Sequence, residues 1–336
     1  MIPSFYDASK CGTLFRPDLA KVSVEGAKAA KSQGIKPSMR RGGSDPNVVL
    51  VIIDNQVDFT NPTLGNLFVP GAVEALDRLN RFLYENVTKI THILASLDTH
   101  FLYQPFFPHN WIAGSNPAQR ATGESYAEGD FPDPFTIITS QDVRSNAWLP
   151  TRLPNRMIEM LTKLEDNKKK NLCIWPLHCI LGSPGHALDP TLQEAIFYHS
   201  GARKDQYSIL DKGRSQCSEH YGIWRAEVEF SDDPTTAIRQ DMVNQWIDAD
   251  AILFAGQART HCVLETLNQT VEMLLQRSPD LLKKMRVIED CMSNVPDIKD
   301  DNGNTIVPFA KMADDRFAEL KQLGVQFIKS TDPINV

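Results

Sequence analysis

Six short apolar runs recur along this chain, each ending near a polar or turn-forming residue, with amphipathic stretches between them. The first is VVLVIID at 48–54, and the others occupy 89–98, 171–175, 249–256, 285–291 and 324–330. A half-exposed strand alternates apolar with polar residues, whereas an uninterrupted β-branched run belongs to a strand buried on both faces. The segments at 71–86, 236–249, 261–277 and 309–324 carry apolar residues at helical spacing. Such alternation predicts an α/β domain over 48–330: a mainly parallel central sheet with helices on both faces, in three layers.

Two regions fall outside this rhythm. Residues 1–47 read as an N-terminal extension, helical near 18–32 and ending in the flexible link RRGGSDP. It either wraps the domain, contacts a neighbouring subunit or stays loosely ordered. Residues 113–169 read as an insertion, loop-rich at first and then helical in NRMIEMLTKLEDNKKK. The KKK run reads as a solvated helix end beside its favourable C-terminal dipole.

Charge and composition exclude several classes. A formal net charge of −7 argues against nucleic acid as a partner. No apolar run approaches the roughly 18 residues that span a bilayer, and the first residues lack the basic-then-apolar pattern of an export signal. A cytoplasmic protein is expected, with its six cysteines as free thiols. No CxxC pair signals a thiolate zinc site. No glycine-rich phosphate loop follows the first strand, which disfavours a nucleotide-binding protein.

Ligands of open parallel sheets bind beyond the carboxyl ends of the strands, so the polar residues there deserve inspection for chemical coherence. Asp54 ends the first run. Asp98 and His100 end the second, and His178 follows the third. Cys262 follows ADAILFAG, and Lys212 lies in YSILDKG. Cys262 stands where a helix begins, a place that favours a thiolate and offers free backbone N–H groups for an oxyanion. Asp54 and Lys212 supply a base and a cation. Equally, Cys262 reads as a small buried hydrophobe. Asp98, His100 and His178 form a one-carboxylate, two-imidazole set suited to zinc, iron or manganese, although His178 also reads as a core histidine. His109 reads as a fourth ligand or a loop histidine. Phe59 and Trp175 read as walls sandwiching a planar ring, or as plain core.

Together, IIDNQVDF (52–59), SLDTH (96–100), WPLHC (175–179), GSPGHAL (182–188), DKG (211–213), GQARTHCVLET (256–266) and VIEDC (287–291) resemble the isochorismatase-like cysteine hydrolases, and among them the nicotinamidases. The resemblance covers most of 48–330. It implies a triad in which Asp54 is the base, Lys212 the charge-holding cation and Cys262 the nucleophile that forms a thioester. It implies an oxyanion hole from the N–H groups of Ala258 and Cys262, with a cis Gln257–Ala258 peptide. It also implies a divalent metal, zinc first, on Asp98, His100 and His178. Phe59, Trp175, Gln257 and His109 would be substrate-binding residues. The implied reaction converts nicotinamide and water to nicotinate and ammonia, a step of NAD salvage, in a homo-oligomer whose partner is a small amide. Alternatives within the resemblance are another small-amide or ureide hydrolase and a non-catalytic scaffold. A vinyl-ether hydrolase of the isochorismatase type would lack Cys262. The chain departs from related nicotinamidases in carrying over 100 extra residues, in Gln257, and in Arg259-Thr260-His261 ahead of the nucleophile. Its insertion is expected to cover or reshape the pocket.

Overall fold

The computed structural model describes residues 1–38, 46–120, 122–300 and 302–336. Six strands form the central sheet: Val48–Ile53 (β1), His92–Asp98 (β2), Ser208–Lys212 (β3), Ala251–Gly256 (β4), Met285–Met292 (β5) and Gln326–Ile328 (β6). Their order is β6-β5-β4-β1-β2-β3, and every neighbouring pair is parallel. β1 is bonded on both edges and all six of its residues are buried, as its uninterrupted apolar run requires. The chain leaves β1 in one direction for β2 and β3, then returns to its other side at β4. That reversal opens a crevice beyond the carboxyl ends of β1 and β4.

Alternate residues of β1 feed two cores. Val48, Leu50 and Ile52 pack with Leu76, Leu79 and Phe82 of the helix Ala72–Glu85, and with Leu192 and Ile196 of the helix Pro190–Arg203. Val49, Val51 and Ile53 join the core of the opposite face, which includes Leu267 and Leu274 of Leu264–Leu275 and Phe317 and Leu320 of Phe309–Gln322. Each such side chain contributes about 1.5–3 kcal/mol on burial, so both faces tie β1 in place. The expected three-layer α/β architecture is present. No helix of the described residues is long and apolar enough to cross a membrane.

Several expectations need correction. Residues 171–175 do not supply a strand of the central sheet. Leu172–Cys173 pairs instead with Ile137–Ile138 in a separate two-stranded ladder. The edge strand is β3, which ends in Lys212. The helix expected over 236–249 is confined to Gln240–Trp246. The extension packs on the domain: its helix Leu19–Gln33 lies against Pro190–Arg203. Glycines permit that approach, since a Cβ on Gly26 would lie 2.1 Å from Tyr198 O and one on Gly201 2.1 Å from Ser23 O. The flexible link expected at RRGGSDP, residues 40–46, lies outside the described residues except for Pro46. Of the KKK run only Lys168 is the solvated end that was expected. Lys169 Nζ lies 3.1 Å from Glu227 and 3.4 Å from Glu265, and Lys170 Nζ lies 2.8 Å from Glu265. Both carboxylates are buried, so this cluster ties the end of the insertion's helix, Pro154–Asp166, to the helix that follows Cys262.

Candidate active site

The carboxyl ends of four adjacent strands deliver the reactive groups. Asp54 follows β1 at φ 46°, a left-handed conformation that costs a non-glycine residue about 1–2 kcal/mol and turns the chain out of the sheet. Its Oδ1 accepts a 2.6 Å hydrogen bond from Ser96 of β2. Lys212 ends β3, and Cys262 lies in the π-helical turn Arg259–Val263 after β4. Lys212 Nζ sits 3.0 Å from Asp54 Oδ2, 2.8 Å from Asp98 Oδ1 and 3.6 Å from Cys262 Sγ, and it donates to the carbonyl of His220 at 3.0 Å. One buried ammonium thus holds two carboxylates and a sulfur together. The Gln257–Ala258 peptide is cis. Among the described residues the Ala258 N–H enters no backbone hydrogen bond.

Burial dominates the electrostatics. It pushes the Cys262 thiol well above its ordinary range; Lys212 pulls the other way, and Asp54 and Asp98 push further up. The resting group is therefore a thiol, and proximity to a helix start does not make it a thiolate. Burial also raises Asp54 against the pull of Lys212, which makes it a stronger base for that proton. For Lys212, burial favours loss of charge, but Asp54, Asp98 and Cys262 overrule it and keep the ammonium.

Beside this triad, Asp98, His100 and His178 place one ligand atom each within 4.8 Å of one another. His100 Nδ1 lies 3.0 Å from the carbonyl of Gly213 and His178 Nδ1 lies 2.8 Å from that of Pro176. A carbonyl only accepts, so each Nδ1 carries the hydrogen and each Nε2 presents a lone pair. Those lone pairs face Asp98 Oδ2 at 2.9 and 3.7 Å. Burial works to keep His100 neutral. Three acceptors converging without a donor fit a cation between them, so this donor set can hold a metal ion. Gly213 is required here: at φ 80° a Cβ would approach His100 Cε1 to 2.5 Å.

A narrow cavity joins the two clusters, and Phe59, Trp175, Tyr221, Glu219, His261 and Cys262 are among its lining residues. Its rings form two walls. Phe59, Phe106, His100 and His178 touch one another on the metal-ligand side, while Trp175, Tyr221 and His261 touch on the other. Two expected substrate-binding residues are not on it. His109 packs on Phe131 of the insertion, and the Gln257 side chain turns away to accept from Ser293 N–H at 3.2 Å. Conversely, Glu219 and Tyr221 were not foreseen. They lie in coil, where only the clustering of Glu219, His220 and Tyr221 soon after Lys212 hints at chemistry. The insertion does reach the site, through Phe135, which packs edge-on against Trp175. A larger cleft at the opposite end of the strands, near Lys36, Lys89 and Arg203, brings together no comparable nucleophile, base or ligand set among the described residues.

No protein-family model and no curated protein matches the chain. Solved structures do. A nicotinamidase/pyrazinamidase of Acinetobacter baumanii superimposes with a TM-score of 0.50 at 20% identity, covering 86% of this chain and 99% of that one. The yeast nicotinamidase gives 0.52 at 16% identity, covering 84% and 99%. The same enzyme bound to the inhibitor nicotinaldehyde gives 0.53. This chain therefore has the isochorismatase-like α/β fold that these nicotinamidases share.

Proposed function

We propose that the chain is a cysteine-dependent hydrolase of a small aromatic carboxamide, with nicotinamide as the leading candidate. One observation carries the reading: Lys212 Nζ lies within 3.0 Å of Asp54 and 3.6 Å of Cys262. A nucleophile, a base and a charge-holding cation are thereby joined in a buried cavity.

The chemistry follows from those contacts. Asp54 takes the Cys262 proton as the sulfur bonds to the amide carbonyl carbon. The carbonyl electron pair moves to oxygen, toward the N–H groups of Ala258 and Cys262. As that pair returns, the C–N bond breaks and the Asp54 proton goes to the departing nitrogen, which leaves as ammonia. Water then attacks the thioester and gives a proton to Asp54. The C–S bond breaks, releasing the carboxylic acid, and the Asp54 proton restores the thiol. Throughout, Lys212 offsets the negative charge shared among Asp54, Asp98 and the sulfur. Phe59 and Trp175, which both line the cavity, clamp the ring. Asp98, His100 and His178 would hold a divalent ion, zinc first, which when bound supplies a Lewis-acid point for a ring nitrogen.

Ammonia release from a panel of small amides tests the reading. Nicotinamide or a close ring analogue should be turned over, and aliphatic amides and ureides should be poorer substrates. A panel without turnover by metal-loaded protein would refute it. Metal analysis should find one divalent ion per chain, and His178→Ala, which removes a ligand outright, should weaken its binding by more than the about 10–100-fold that loss of a ligand's own hydrogen-bond partner costs. Metal content insensitive to that substitution would remove His178 from the ligand set.

A further inference from the structure

The metal-ligand side of the cavity and the triad account for a ring nitrogen and an amide. They leave two polar atoms of the other wall unused. His261 is 3% exposed, and its Nδ1 lies 2.9 Å from Thr260 Oγ1. Its Nε2 has no partner. Glu219 is 5% exposed, with Oε1 accepting from His220 N–H at 2.9 Å and Oε2 without a partner. Both residues line the cavity. Buried polar atoms are almost always satisfied, so two orphans on one small cavity point to a ligand group that satisfies them.

The wall is built to hold these atoms still. The His261 ring is braced by Trp175 and Phe309, with centroids at 5.2 and 4.5 Å and near-perpendicular planes, and by Tyr221 at 5.2 Å. Trp175 Nε1 donates to the Tyr221 hydroxyl oxygen at 3.3 Å and the Tyr221 O–H turns to Glu219, which leaves His261 Nε2 and Glu219 Oε2 to the ligand.

We propose that His261 and Glu219 read a second polar group, so that the preferred substrate is an aromatic carboxamide bearing a neutral hydroxyl or amino substituent on its ring. This rests on the amide-hydrolase reading of the site. The group is neutral because the surroundings are. Burial raises the Glu219 carboxyl to about 8 and holds His261 well below the usual imidazole range. At neutral pH the pair therefore offers a carboxylic acid, which both donates and accepts, and an uncharged imidazole. A further carboxylate on the ligand would meet Asp54 and Asp98, between which Lys212 is already shared. The narrowness of the cavity limits the substituent to a few atoms.

The test uses the metal-loaded full chain and a set of nicotinamides with an amino group at each free ring carbon, unsubstituted nicotinamide being the reference. The readout is the ratio of kcat/KM for the best amino isomer to that for nicotinamide. The same ratio is read in binding constants to a Cys262→Ala protein by calorimetry. At least one isomer should be preferred about tenfold or more. Both His261→Phe, which keeps the braced ring, and Glu219→Leu should collapse that ratio to near unity, and Glu219→Gln, which keeps a donor and an acceptor, should retain most of it. A merely structural role would lower both substrates together and leave the ratio alone. Absence of a preferred isomer, or a preference untouched in both variants, overturns the proposal while nicotinamide turnover still upholds the hydrolase reading. The converse outcome is a binding preference that collapses in the variants without turnover of any amide. It would uphold the second recognition point and sink the hydrolase reading.

Discussion

Cys262→Ala is expected to lower amide turnover by at least about 10⁴-fold while the protein stays folded. The loss follows from the proposed covalent step, because among the described residues Cys262 is the one thiol hydrogen-bonded to Lys212. Of the remaining thiols, Cys179 is fully buried and pushed well above its ordinary range by burial. The folding part of the prediction is equally specific. With the resting Cys262 protonated, its removal strands no charge: Lys212 keeps Asp54 at 3.0 Å and Asp98 at 2.8 Å. Losing one buried sulfur should cost about 1 kcal/mol, roughly 1–2 °C in Tm for a chain of this length. Steady-state kinetics, a thermal melt and mass spectrometry of acid-quenched turnover mixtures decide the matter together. The native chain should show an acyl adduct on the peptide containing residue 262, and the variant none. Substantial activity in a folded variant would end the thioester mechanism.

What could be read from the sequence divides along physical lines. Asp54 and Cys262 were legible because they follow β1 and β4, whose buried apolar runs are unbroken, and Asp98 because it closes β2, which is buried along nearly its whole length. β3 is an edge strand and Ile209 within it is 41% exposed, so SILDK has no such run, and Lys212 was singled out without the strand that carries it being expected. The run at 171–175 misled for the opposite reason. Leu172 and Cys173 are buried, but against the insertion's own short ladder, and burial alone does not say which sheet a strand joins. Glu219 and Tyr221 were invisible because their coil has no period. It is held by side chains of the helix after Cys262: Thr266 Oγ1 accepts from Ile223 N–H, and Gln269 Oε1 accepts from Trp224 N–H. Lys169 and Lys170 were misread because their partners, Glu227 and Glu265, are far along the chain. The helix-start argument for a Cys262 thiolate left out the burial of the sulfur, which pushes the thiol upward.

Lys212→Met should be nearly as damaging, and by a different route. The substitution keeps much of the side chain's length and removes its charge from a site that is fully buried. Two carboxylates then face each other without a cation, and an uncompensated buried charge costs about 3–5 kcal/mol. Asp54, already raised by burial, is the group that relieves this by holding a proton. A protonated Asp54 cannot accept the thiol proton, and the thiol has lost the one neighbour that lowered its pKa. General-base loss accounts for about 10²–10⁴-fold, and the unstabilised sulfur adds to it, so turnover should fall at least about 10³-fold. The pH dependence has a definite sign. Cys262 starts above its ordinary range, and removing Lys212 raises it further, so alkylation by iodoacetamide should be slower than in the native chain at every pH where the native thiol reacts, with the profile displaced to higher pH. Stability follows the same linkage. Lys212 is held above its ordinary value by Asp54 and Asp98, so its pairing stabilises the fold below the ordinary lysine range and is lost as pH rises through the raised value; the variant forfeits that contribution across neutral pH. An alkylation profile that superimposes on the native one, in a variant that melts cooperatively, would take the ammonium out of the mechanism and leave Cys262 dependent on Asp54 alone.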